Sequence, residues 1–215
     1  MRPLAWLIGL LMAGYVRLVA ATCRVEGGPV TQEQVVLAFW HEYNLAAAIA
    51  AWRLRRHPYH VSFSTQAFRG RIMTAMLANL GTGSVPLPGE SERSKAARLS
   101  KQLARLGREG ASPVVSPDGP LGPYRQAKPG ALIVARESGL SIQPWAVVAR
   151  PAVRLRRRWD RHVLPLPFCR LRVIEGQQLA IGARDRLRPK LAELQAELER
   201  IASTADRRAT AIRKA

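Results

Sequence analysis

A chain of 215 residues is long enough for one sizeable core, or for one domain with appendages. With 47% hydrophobic residues it is not a disordered polypeptide. Basic residues outnumber acidic ones by 34 to 15, a formal net charge of +19. Such a charge points to an anionic partner, nucleic acid or a lipid surface, and does not choose between them.

Pro3 to Tyr15 is apolar or small throughout, and Val16 and Leu18 to Ala21 extend the run past Arg17. The uninterrupted stretch is shorter than the ~20 residues of a spanning helix, but Arg17 can snorkel and Trp6 and Tyr15 suit the two interfaces. Residues 1–21 are therefore read as a membrane anchor or re-entrant helix. A cleaved signal peptide and a buried core helix are the competing readings. Cys23 and Cys169 match no metal-ligand spacing, so no metal is expected, and neither is a disulfide.

The next segments alternate. Val35 to Phe39 is a short apolar run fit for a buried strand, followed by an Ala- and Leu-rich helix from Leu45 to Leu54. His60 to Ser64 reads as a strand, and Arg71 to Leu80 as a helix stopped by Gly81. Ser84 to Leu87 suits a short edge strand, and Glu92 to Arg108 a charged helix. Pro113 to Ser116 is a strand running into a Pro/Gly loop. Pro129 to Ser138 is a helix with Pro at its start and Gly139 at its end. Ile142 to Ala149 and Cys169 to Glu175 complete the strands. This pattern predicts an α/β domain over residues 22–182, a mixed sheet flanked by helices. In residues 183–215, Leu187, Leu191, Leu194, Leu198 and Ile201 form one apolar stripe. They predict a C-terminal amphipathic helix docked on the domain, with a basic tail that frays after Ser203.

His41 stands where a strand gives way to a helix, and Asp118-Gly119 lies in a tight loop after another strand. An imidazole can take the proton of an attacking hydroxyl, and a carboxylate orients that imidazole. Each residue also has a plain structural reading: a hydrogen-bonded histidine at a strand end, and an Asx bond closing a Pro-Gly turn. His57, His60 and His162 show no ligand spacing and are read as surface residues. Arg154, Arg156, Arg157, Arg158 and Arg161 form a basic run that suits a solvated face, anionic headgroups or nucleic acid. With 6% aromatics the chain lacks the stacking residues of single-strand binders, so no nucleic-acid partner is expected.

Four segments occur in order: Ala38-Phe39-Trp40-His41; Ser116-Pro117-Asp118-Gly119-Pro120-Leu121-Gly122-Pro123; Lys128-Pro129-Gly130 with its helix; and Trp159-Asp160-Arg161 followed by Leu164-Pro165-Leu166-Pro167-Phe168. Together they resemble a bacterial branch of the lysophospholipid and glycerolphosphate acyltransferase superfamily, over roughly Thr22 to Leu179. The resemblance implies transfer of a fatty acyl group from acyl-CoA or acyl carrier protein to a (lyso)phospholipid or related lipid hydroxyl. It implies no bound cofactor, membrane lipids and the acyl donor as partners, and a place at the cytoplasmic face of the inner membrane. His41 would be the base, with Glu42 or Asp118 orienting it. Gly119, Arg69 and Arg125 would contact substrate. Three positions depart from the pattern: Ala46 and Arg69 stand where the family carries Asp, and Leu121 where the branch carries the phosphate-binding Arg. Arg125 is the expected substitute. The alternatives are a catalytically silent lipid-binding or structural member, and a nucleic-acid-binding basic protein.

Overall fold

The computed structural model describes residues 2–26, 33–54, 60–65, 67–87, 93–119 and 121–211; His57 lies outside them. The first element, α1 (Arg2–Thr22), is long and apolar enough to cross a membrane by length and composition. It lies against the domain instead of standing free of it. Ala5, Ala13, Val16, Val19 and Ala20 are buried, while Leu4, Trp6, Leu7, Leu11 and Leu18 are 48–65% exposed. One face is thus docked and the other apolar and open. Arg17, which could have snorkelled, donates to the carbonyl of Asn79 at the end of a later helix.

Small residues let α1 approach closely. A Cβ on Gly9 would stand 2.5 Å from the Ala75 Cβ and 2.7 Å from the Ile72 carbonyl oxygen of α3 (Phe68–Asn79). Gly9→Leu is therefore expected to force the two helices apart, at a cost of about 1–3 kcal/mol. Thermal unfolding and limited proteolysis of α1 check this; an unchanged midpoint and cleavage pattern would contradict it.

The sheet has seven strands in the order β1-β7-β6-β2-β5-β3-β4. They are β1 (Arg24–Glu26), β2 (Val36–Ala38), β3 (His60–Thr65), β4 (Gly83–Leu87), β5 (Ser112–Val115), β6 (Ile142–Arg154) and β7 (Val163–Glu175). β6 and β7 pair antiparallel and the other neighbours parallel, so the sheet is mixed. The short β2 is wholly buried at the centre. Two helix groups cover the sheet: α1 with α2 (Asn44–Leu54) and α3, and α4 (Arg93–Arg108) with α5 (Gly130–Ser138) and α6 (Leu187–Ala211). Gly139 closes α5 at φ 76°, donating its N–H to Ala135. Cys23 and Cys169 are buried and unbridged.

Two expectations are corrected. The strands expected at Ile142 to Ala149 and Cys169 to Glu175 extend to Arg154 and back to Val163, through Pro151, Pro165 and Pro167. Pro151 and Pro167 fall where the register shifts, between the Arg150–Arg170 and Ala152–Pro165 pairs, a bulge where a missing N–H costs little. The C-terminal helix does not fray after Ser203. Ala205 is buried, and Asp206 holds Arg125 and Arg154.

Candidate active site

β2 and β5 are parallel neighbours with Ala38 beside Val115. Their carboxyl ends therefore lie side by side, where open α/β sheets place their ligands. Three residues beyond each strand end stand His41 and Asp118. His41 opens a 3₁₀ turn, His41–Tyr43, and Asp118 sits in a turn closed by the Gly119 N–H on the Ser116 carbonyl, at 3.0 Å. The Nδ1 of His41 is 2.7 Å from the Asp118 Oδ1, and the His41 backbone N–H donates to the same carboxylate at 3.2 and 3.4 Å. The Asp118 side chain is fully buried and the His41 ring 19% exposed. A buried carboxylate on Nδ1 favours the tautomer that leaves the Nε2 lone pair available.

Glu42 goes elsewhere. It is fully buried and accepts from Arg125 Nε at 2.5 Å, Arg154 Nη1 at 2.8 Å and the Tyr124 hydroxyl at 3.1 Å. Burial raises its pKa and the two arginines pull against that shift. Asp206 of α6 completes the network, 2.9 Å from Arg125 and 3.2 Å from Arg154. Arg125, expected to bind substrate phosphate, is thus committed to Glu42, the Tyr43 hydroxyl and Asp206. It is not among the residues that line the cavity beside His41.

That cavity holds about 1400 Å³. His41 and Ser116 line it together with Met12, Trp52, Phe63, Met73, Met76 and Leu80, which extend it as an apolar chamber under α1. Arg69 and Gly119, the other two residues expected to contact substrate, also line it. Lys128 joins them, its Nζ 2.8 Å from where a Cβ on Gly119 would stand, so the ammonium lies over the loop; the left-handed backbone at Gly119, φ 64°, is what favours glycine there. Among the described residues no cluster of three or more His, Cys, Asp or Glu side chains could hold a metal ion.

Trp159 and Asp160, part of the fourth motif segment but given no role from sequence, lie beside His41 and the cavity, as does His162, which was read as a surface residue. The Trp159 ring lies 5.2 Å from the His41 ring. Asp160, 2% exposed, receives both arms of Arg158 at 2.9 Å. Burial raises its pKa, but the Arg158 fork outweighs that and holds it below the ordinary carboxylate value. His162 lines the cavity instead of the surface, 3.6 Å from Asp160. His60 lines it too. The available signal was the Trp159-Asp160 pair, one residue from His162.

Burial pushes His162 below its ordinary pKa of 6.5; the charge of Asp160 and a hydrogen bond to the His41 backbone oppose the shift, and the charge of Arg158 adds to it. An unfolded chain therefore takes up this proton at a higher pH than the folded one. The resulting stability is fully present above 6.5 and is lost as pH falls below it. Denaturant titrations at a series of pH values should show this decline in wild type and a flatter one in His162→Gln. Parallel curves would contradict it.

No protein-family model matches the chain. An uncharacterized protein of Rickettsia prowazekii (strain Madrid E), RP090, is 27% identical over 154 residues, 72% of this chain and 67% of that protein. Among solved structures, the 1-acyl-sn-glycerophosphate (LPA) acyltransferase PlsC from Thermotoga maritima superposes with a TM-score of 0.51. The match covers 90% of this chain and 79% of that one, at 13% identity. The chain therefore has an acyltransferase-like fold, shared with PlsC at low sequence identity.

Proposed function

We propose that the protein is a membrane-associated acyltransferase, moving a fatty acyl group from acyl-CoA or acyl carrier protein to the hydroxyl of a (lyso)phospholipid or related lipid. The observation that carries this reading is the His41–Asp118 pair at the wall of an apolar chamber. The chamber takes the acyl chain. His41 Nε2 removes the acceptor hydroxyl's proton while Nδ1–H stays on the Asp118 carboxylate. The alkoxide oxygen attacks the thioester carbonyl, the tetrahedral adduct expels the thiolate, and the imidazolium returns its proton to that sulfur. Arg69 and Lys128 meet the acceptor's phosphate, a role supported by their both lining the cavity. Asp118 fills the role left open by Ala46 and Arg69.

The second reading is a silent lipid-binding relative. It draws on Leu121, 68% exposed where the resemblance expects a phosphate-binding arginine. Transfer from a long-chain acyl thioester to a lysolipid, measured for wild type and His41→Ala, separates the two. Equal rates across several donors and acceptors would refute His41 catalysis.

A further inference from the structure

The structure sorts the five arginines of the β6–β7 turn into two kinds. Arg154 is held by Glu42 and Asp206, Arg158 by Asp160, and Arg161 lies over the Tyr124 ring at 4.6 Å. Arg156 and Arg157 are exposed, and no carboxylate is within ion-pair distance of either among the described residues. The turn that carries them is fixed: Leu155 N–H donates to His162 at 2.8 Å, Arg158 N–H to Leu155 at 3.1 Å, and Arg161 N–H to Arg158 at 3.1 Å. Around the two arginines, Val153, Leu155 and Trp159 are 44%, 40% and 37% exposed. Leu121, 68% exposed, comes from the neighbouring loop, whose Gly122 packs against the Trp159 ring.

We propose that this turn is a second membrane contact. Arg156 and Arg157 meet headgroup phosphates, and Leu121, Val153, Leu155 and Trp159 enter the interfacial layer of an anionic leaflet. Charge complementarity selects an anion, and the apolar side chains select a lipid surface over an acidic protein. The position supports the same occupant. The cavity is walled by Met12 of α1, whose outer face is apolar and open, and by Arg158 of this turn. Two apolar surfaces thus border one cavity, and Trp159 links the second of them directly to His41. The proposal rests on the acyl-transfer reading only for what enters the cavity. Membrane contact is measured without turnover, so either can fail alone.

The test uses the full chain and flotation with vesicles of phosphatidylcholine, alone or doped with phosphatidylglycerol, at low salt. Wild type should prefer the anionic vesicles. Arg156→Gln with Arg157→Gln should weaken that binding about 25-fold, from about 1 kcal/mol per basic residue. Binding to neutral vesicles, which α1 supports, should not change. Arg156→Lys with Arg157→Lys should retain most of the affinity, and Leu155→Ser should weaken binding to both vesicle types. Equal affinity of wild type and the double Gln variant for anionic vesicles would overturn the proposal. So would an equal loss on neutral vesicles. Intact vesicle binding with lost capture of an acidic acyl carrier protein would also overturn it, and would assign the turn to a protein partner.

Discussion

Replacing His41 by alanine is expected to slow acyl transfer about 100- to 10,000-fold, the usual contribution of a positioned general base. That range corresponds to about 2.7–5.4 kcal/mol of lost transition-state stabilisation. Among the described residues, alanine also leaves the buried Asp118 carboxylate with only the His41 backbone N–H, which costs stability of about 1–3 kcal/mol. His41→Gln retains a donor near that carboxylate and separates the two effects: it should recover stability and not activity. Asp118→Asn should act through the imidazole. An amide facing Nδ1 as a donor fixes the opposite tautomer, puts the hydrogen on Nε2 and removes the base, a loss of up to about 10⁴-fold. A single-turnover assay with saturating acyl thioester reads both variants. Wild-type rates in either, with the fold intact by circular dichroism, would dismiss the dyad.

The second large effect falls on stability. Glu42 is fully buried and balances two arginines, 18% and 32% exposed. Removing one partner of a buried pair leaves the others uncompensated, at a cost of about 3–5 kcal/mol. Glu42→Ala should therefore lower the unfolding free energy by about that amount, with Arg125 and Arg154 turned toward solvent. Asp206 is 43% exposed, and its removal leaves both arginines paired with the buried Glu42, so Asp206→Ala should cost much less. Chemical denaturation of the two variants gives the ratio. Equal destabilisation would mean that the network is centred on the helix and not on Glu42.

Much of the architecture was legible because its signals are local. Val36 to Ala38 is apolar on both faces, as a central strand must be, and Gly81 and Gly139 mark helix ends by their conformation. His41 and Asp118 were legible because each follows a strand by the same three residues, and parallel pairing brings those ends together. The roles of the arginines were not. Arg125 and Arg154 carry no local mark of whether they face phosphate or carboxylate. That depends on Asp206, which reaches them from another element. Glu42, next to His41 in sequence, turns into a different environment because successive residues of a 3₁₀ turn point about a third of a revolution apart. The strand extensions were not legible because their prolines disfavour a ladder, and nothing local marks that Pro151 and Pro167 fall at a register shift.

The seat of α1 has a consequence for synthesis. The Tyr15 hydroxyl donates to the carbonyl of Pro165 across 150 positions, and the Thr22 hydroxyl accepts from Phe168 across 146. At ~5–20 residues per second, this helix leaves the ribosome on the order of ten seconds before the strand that holds it exists. During that interval α3 is already made and can take the side of α1 that carries Gly9 and Arg17, while the side that later meets β7 still lacks its partner. Met12 lines the cavity from this same helix, so that wall reaches its final seat only once β7 has been made.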